Sequence, residues 1–150
     1  MSSITYRIAQ LDDVEKVYQF EMEQKFQADA DEYETQMLVW DSSFRKESLE
    51  HHFKLGWSFV AIDKDNQIAG FFLGQPLLFF DRQTQTLWVE YISSKSDEVN
   101  SELIDIAYRL SREKHFQRVL FSSDISVKHL TKPFSFQPWD RQTVFLKTTK

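Results

Sequence analysis

The chain has 150 residues, a formal net charge of −5 and no cysteine. This length suits one domain with its own core, so residues 1–150 are predicted to form a single domain. The lack of cysteine excludes disulfides and thiolate metal sites, and it favours a reducing, cytoplasmic location. Charges of both signs with an acidic balance argue against a nucleic-acid partner, because such proteins concentrate Lys and Arg on one face.

The N-terminus lacks the basic and then apolar run of a signal peptide. No apolar stretch approaches the ~20 residues that a membrane-spanning helix needs. We therefore expect a soluble protein with no membrane partner.

The first half of the chain is predicted to contain a strand, two helices and a hairpin. Ile4–Ile8 alternates as a strand does, and Asp12 with Glu15 resembles the capping box of a first helix. A second helix is predicted to start at Ser42 or Ser43 and to end at Gly56. Its inner face is expected to consist of Phe44, Leu49, His52 and Phe53. The acidic region 24–35 fits a helix, a loop or both.

Two apolar runs, 57–62 and 68–74, flank a polar turn and predict an antiparallel hairpin. Pro76 is expected to bend or end the second strand, or else the strand continues over 77–80. The aromatic residues there exceed what one sheet face buries. Coverage of both sheet faces by helices would explain Phe71 and Phe72, and for Phe79 and Phe80 a homodimer contact or a substrate pocket is the sharper alternative.

The stretch from Thr86 to Phe121 is predicted to form a β-α-β unit. Its long helix carries an apolar stripe at steps of four, three and four residues. Runs of apolar and β-branched residues, typical of strands, precede and follow this helix. The stripe consists of Val99, Leu103, Ile106 and Leu110. The junction of the first strand with the helix, residues 93–101, is the favoured place for an anionic ligand because helical N–H groups point there.

A short helix from about Ile125 to Lys132 and a last strand at Thr143–Lys147 are predicted to follow. The expected fold class is α/β: a mixed, mostly antiparallel sheet with a central β-α-β unit and helices on both faces.

This order resembles the GCN5-related N-acetyltransferase (GNAT) family over nearly the whole chain. In that family the strand before the long helix binds the pantetheine of acetyl-CoA, which implies backbone contacts at Val89, Tyr91 and Ile92. The family's pyrophosphate loop, Q/R-x-x-G-x-G/A, aligns with Lys95–Asn100. The resemblance therefore implies acetyl-CoA as cofactor, held by Val89, Tyr91, Ile92, Lys95, Ser96, Asp97, Glu98, Val99, Asn100 and Ser101.

The chain departs from the family at positions that contact the cofactor or handle protons. Glu98 and Asn100 replace both loop glycines, while Lys95 keeps the basic position. A second family pattern aligns over 124–136, where Thr131 takes the place of the tyrosine that serves as general acid. A carboxylate about 4 Å from a phosphate costs roughly 4 kcal/mol at an effective dielectric near 20, which predicts weak acetyl-CoA binding.

Glu90 lies where some family members place the base that deprotonates the amine substrate. A solvent-facing strand carboxylate that alternates with its neighbours is an equal alternative. The acidic residues 29–34 fit either attraction of a basic substrate or ordinary solvated surface. His51 and His52 are adjacent, so on a helix they point about 100° apart and no metal site is expected.

Two hypotheses follow from the resemblance. The first is an acyl-CoA-dependent N-acetyltransferase that acts on a small-molecule or peptide amine, with an atypical pyrophosphate loop and Glu90 as base. The second is a non-catalytic GNAT-fold binding module that has lost acetyl-CoA binding, because a fold alone does not establish an activity.

Overall fold

A computed structural model of the chain describes residues 3–26, 31–122, 130–139 and 143–148. Their five strands form one sheet in sequence order, antiparallel throughout except for the parallel last pair. None of their helices combines the length and the apolar content needed to cross a membrane. The elements are β1 (Thr5–Ile8), α1 (Val14–Lys25), α2 (Glu32–Trp40), α3 (Lys46–Leu55), β2 (Phe59–Ile62), β3 (Ile68–Phe80), β4 (Gln83–Ser94), α4 (Asp97–Glu113) and β5 (Arg118–Phe121). The predicted mixed sheet with a β-α-β unit is thus confirmed.

The start of α1 differs from the predicted capping pair. Asp13, rather than Asp12, closes the preceding 3₁₀ turn by accepting the Gln10 N–H at 2.8 Å. Both Asp13 carboxylate oxygens also bind Arg7 of β1, at 2.8 Å each. The carboxylate therefore ties the helix entrance to the sheet, a constraint that local spacing does not reveal.

The region 24–35, for which the sequence fits a helix, a loop or both, contains the start of α2. Asp31 caps this helix by accepting the N–H groups of Tyr33 and Glu34. The cap predicted for α3 at Ser42 or Ser43 is wrong, because Arg45 precedes that helix and makes no side-chain cap. The Ser42 hydroxyl instead donates to the Val39 carbonyl at 2.7 Å. The predicted end of α3 is confirmed, since Gly56 adopts a φ of 79° that favours glycine.

The core consists of two apolar clusters, one on each face of the sheet. The α1/α3 face contains Phe44, Leu49 and Phe53 of the predicted inner face, and the fourth predicted residue, His52, is buried outside this cluster. The α4 face contains the predicted stripe except Leu110, which is half-buried. Helices therefore cover both faces, as predicted. The first cluster is formed by Ala9, Val14, Val17, Val39, Phe44, Leu49, Phe53, Val60, Ile62, Ile68, Phe71 and Leu73, and the second by Ala61, Ala69, Phe72, Leu87, Val89, Val99, Leu103, Ile106 and Ala107.

A β-bulge interrupts the pairing of β3 with β4. Leu73 lies opposite Tyr91 and Gly74 opposite Val89, so Glu90 is an extra residue in β4. In a regular strand Val89 and Tyr91 would share a face. Because of the bulge, Val89 packs on the α4 face while Tyr91 packs on the α1/α3 face.

A buried carboxylate joins α1 to β4 just beyond the bulge. Glu21 is 0% exposed and accepts hydrogen bonds from the hydroxyls of Tyr91 and Ser93, the latter at 2.5 Å. A buried carboxylate needs such donors to offset its desolvation. Glu21 thereby holds Tyr91 and Ser93, the β4 residues that face α1 and α3 because of the bulge.

The β3–β4 hairpin extends beyond the rest of the sheet. β3 does not end at Pro76 but continues to Phe80, because beyond Phe72 only β4 pairs with it and an edge strand tolerates proline. Phe79 is 81% exposed at the tip, whereas the Phe80 ring packs on Trp139 at a centroid distance of 5.8 Å.

The last predicted strand is not formed, and its apolar residues Val144, Phe145 and Leu146 are exposed. The segment 134–139 contacts β5 instead. Phe136 contacts Phe121 at a ring distance of 5.8 Å, and Arg118 lies 6.0 Å from the Trp139 ring. Most of the short helix predicted from Ile125 lies outside the described residues.

Replacement of Leu103 by alanine should lower the free energy of unfolding by about 2 to 5 kcal/mol, because a fully buried side chain of the α4 stripe is removed. Leu110→Ala is the matched control and should cost clearly less, since Leu110 is only half-buried. Urea denaturation measures both. A loss below about 0.5 kcal/mol for Leu103→Ala would contradict the register of α4.

Replacement of Glu21 by leucine keeps most of the side-chain volume but removes the acceptor for Tyr91 and Ser93. We expect a loss of about 2 to 3 kcal/mol, because hydroxyls are left without their charged partner. In a Tyr91→Phe background the same change should cost less, since one hydroxyl is already absent. Equal costs in both backgrounds, measured by urea denaturation, would show that the contact does not stabilise the fold.

Candidate functional site

At the junction of β4 with α4, the N-terminus of α4 is capped by a side chain of the protein. Ser96 precedes the helix, and its Oγ accepts the Val99 N–H at 3.2 Å. The first turn then carries the carboxylates of Asp97 and Glu98. The hydroxyl thus satisfies an N–H group that an external anion would otherwise bind, and two negative charges flank it.

Lys95, the basic residue of the aligned loop, is directed to the turn between β2 and β3. Its Nζ lies 3.1 Å from Oδ2 of Asp63, and its backbone N–H donates to the Ala69 carbonyl at 3.0 Å. The Gln67 backbone N–H, together with this ammonium, lowers the pKa of Asp63. An anion at the helix end would therefore compete with Asp63 for the Lys95 charge.

Close backbone contact positions the first turn of α4 on the sheet. A Cβ atom on Gly70 would lie 2.9 Å from the Ser93 carbonyl oxygen and 2.9 Å from Cγ1 of Val99. Only glycine fits at this distance without displacement of β4 or α4. Gly70 thus sets how closely the helix end approaches the strands, although the aligned motif did not include it.

The remaining loop residues divide between surface and interior. Glu98 is exposed, and with Glu102 it adds to the effect of burial in raising the pKa of Tyr6 on β1 to about 12. Ser101 is buried, and its Oγ accepts the Thr131 N–H at 2.8 Å. Asn100 is half-buried, and its N–H donates to the Ser96 carbonyl at 3.0 Å.

The strand residues proposed to contact pantetheine lie around the bulge. The Val89 carbonyl accepts the Ser122 N–H at 3.0 Å, and the described β4–β5 ladder ends at Val89 while β4 continues to Ser94. Ile92 packs on the α4 face. The Tyr91 ring packs against Phe44 and Phe71 at centroid distances of 6.1 and 5.9 Å.

Glu90 is half-buried and points toward the loop between α2 and α3. One carboxylate oxygen accepts the indole N–H of Trp88 at 2.5 Å, and the other lies 3.5 Å from the Ser43 hydroxyl. Its charge also acts on His52, whose pKa is lowered mainly by burial. Glu90 is thus a bulge residue held by two donors. The sequence pattern did not indicate Ser43, which is 47 residues away.

The two adjacent histidines make separate contacts. The His51 Nε2 lies 3.3 Å from the Gln75 side-chain oxygen, and the His52 Nδ1 lies 2.8 Å from the Ser48 carbonyl. Among the described residues, no group of three or more His, Asp or Glu side chains is arranged to hold a metal ion.

No protein-family model and no curated protein sequence matches the chain. Solved structures do match it. A protein from Thermus thermophilus is 17% identical, with 97% of this chain and 99% of that chain covered and a TM-score of 0.65. A predicted acetyltransferase with acetyl-CoA from Clostridium acetobutylicum is 10% identical, with 95% of each chain covered and a TM-score of 0.62.

A polyamine N-acetyltransferase from Drosophila melanogaster is 13% identical, with 78% of this chain and 74% of that chain covered and a TM-score of 0.57. At these identities the likeness concerns the fold. It agrees with the element order, the β-α-β unit and the helices on both sheet faces. The chain has the fold of the GCN5-related N-acetyltransferases.

Proposed function

We propose that the protein is an acyl-CoA-dependent N-acetyltransferase that acts on a small-molecule or peptide amine, with Glu90 as the base. The observation that carries this proposal is the bulge at Glu90, which directs a half-buried carboxylate toward the loop between α2 and α3. Bulges often re-aim side chains beside active sites. A similar fold is found in an enzyme that acetylates polyamines, which are amines.

In this proposal Glu90 takes a proton from the ammonium form of the substrate, because only a neutral amine has a lone pair that attacks a carbonyl carbon. The Trp88 indole and the Ser43 hydroxyl keep the carboxylate oriented. Carboxylate oxygens have further lone pairs for a substrate N–H. Thr131 replaces the family's tyrosine acid, so the proposed reaction needs no acid from that position.

The residues present fit acetyl-CoA unequally. Val89, Tyr91 and Ile92 would hold the pantetheine on β4, and the cofactor would supply the acetyl thioester that the amine attacks. The loop from Lys95 to Ser101 fits the pyrophosphate poorly, because it lacks glycine, carries two first-turn carboxylates and pairs its lysine with Asp63. We therefore propose weak cofactor binding.

The same loop favours a second candidate, a GNAT-fold binding module that has lost acetyl-CoA binding. The Ser96 hydroxyl caps α4 from within the chain, and Asp97 and Glu98 repel an anion there. The two candidates differ in one measurable property, the affinity for CoA.

The double change Glu98→Gly and Asn100→Gly restores both glycines and removes one negative charge. We expect it to strengthen CoA binding by about ten- to a thousandfold, as measured by calorimetric titration. Glu98→Gln is the matched control, which removes the charge and keeps the side-chain volume. The melting temperature without ligand should fall for the double variant, because glycine loses more backbone entropy on folding.

Thermal melts with CoA separate the two candidates. A larger CoA-induced rise for the double variant than for the wild type supports the acetyltransferase with an impaired loop. If CoA shifts neither protein, the binding module is favoured instead. Equal shifts would mean that the Glu98 charge does not reach the cofactor, and the weak-binding argument would be wrong.

Replacement of Glu90 by glutamine should lower kcat by about a hundred- to ten-thousandfold with a polyamine as acceptor, because general-base assistance is lost. Glu50→Gln, an exposed change on α3, serves as control and should leave kcat unchanged. A Glu90→Gln variant with wild-type kcat in a spectrophotometric thiol-release assay would exclude Glu90 as the base.

A further inference from the structure

Helix α2 presents an apolar stripe to solvent. Tyr33, Met37 and Trp40 follow one another at steps of four and three residues and therefore share one helical face. They are 72%, 57% and 64% exposed, respectively. We call these three residues the α2 stripe. Exposed apolar groups with this spacing are typical of a helix that docks onto another molecule.

The rest of α2 contributes little to the core. The helix has nine residues, of which only Val39 is buried. Helices shorter than about 12 to 15 residues are marginal in water unless an apolar face is packed. Burial of the α2 stripe by a partner would add apolar packing to a helix whose one buried residue is Val39.

The surroundings of the α2 stripe are acidic. Residues 31–46 contain four carboxylates, Asp31, Glu32, Glu34 and Asp41, against two basic side chains, Arg45 and Lys46. Within the described part of the chain, Glu32, Glu34 and Asp41 form no ion pair. These charges lie beside the stripe and favour a partner that brings cations with its apolar surface.

One intramolecular contact shows how a cation packs on this surface. The Arg45 guanidinium lies 5.3 Å from the Trp40 ring centroid and donates to the Trp40 carbonyl at 3.0 Å. A tryptophan face attracts a guanidinium electrostatically, most strongly when solvent is excluded. The Trp40 ring therefore accepts a guanidinium, here that of Arg45, and a cation of a partner would pack on the other ring face or take the place of Arg45.

We propose that the α2 stripe docks a basic, amphipathic polypeptide segment of another protein. The negative charge beside the stripe distinguishes the candidate partners. A second copy of this helix, a nucleic acid or an anionic membrane would each place negative charge next to these carboxylates, which is unfavourable. A segment with an apolar face and flanking Lys or Arg satisfies both features. This proposal stands apart from acetyl transfer, because it needs neither CoA nor Glu90.

The probe is a designed helical peptide with Leu on one face and Lys on the other, titrated against the intact protein by fluorescence anisotropy. Two controls keep its length: one replaces Lys by Glu, and one scrambles the order so that charge is kept but the apolar face is lost. We expect both controls to bind at least about tenfold more weakly than the designed peptide.

Variants of the protein locate the contact. Trp40→Ser and Met37→Ser should each weaken peptide binding by about tenfold or more. Leu38→Ser is the matched control, because Leu38 is as exposed as Trp40, at 63%, but lies off the stripe. Circular dichroism checks that each variant remains folded.

Four results would overturn the proposal. The first is equal binding of the designed and scrambled peptides, which indicates general attraction of cations. The second is an equal effect of Leu38→Ser and Trp40→Ser. The third is no binding of the designed peptide at all. The fourth is self-association in analytical ultracentrifugation that Met37→Ser abolishes, which would assign the stripe to a second copy.

Discussion

The candidate site depends on one extra residue in a β-strand. Because Glu90 is inserted opposite the Leu73–Gly74 step, β4 packs on the α4 face up to Val89 and on the α1/α3 face at Tyr91. Glu21 holds the second part through Tyr91 and Ser93. The bulge thus changes which β4 residues face each cluster, and it directs the Glu90 carboxylate toward the Trp88 indole and the loop between α2 and α3.

The loop between β4 and α4 is poorly suited to an anionic ligand. Helix N-termini favour anions, but here Ser96 caps the helix and Glu98 adds negative charge. Lys95 is paired with Asp63. A fold shared with acetyltransferases is therefore combined with a loop that is poorly suited to phosphate, and both proposed functions follow from this combination.

Periodicity predicted the fold better than the site. The α4 stripe and the αL glycine Gly56 follow from local spacing and were confirmed, apart from the half-buried Leu110. The bulge could not be predicted, because alternation along β4 does not reveal where the register with β3 shifts, and Ser43 near Glu90 is 47 residues away. Simple alternation along β4 therefore gives the wrong face for Tyr91.

The most direct test of the bulge is a NOESY spectrum of the isotopically labelled protein. We expect contacts from the Val89 methyl groups to Leu103 and other residues of the α4 face, together with contacts from the Tyr91 ring to Phe44 and Phe71. Contacts of Val89 and Tyr91 to the same helix face would contradict it, because they would indicate a regular strand without the extra residue at Glu90.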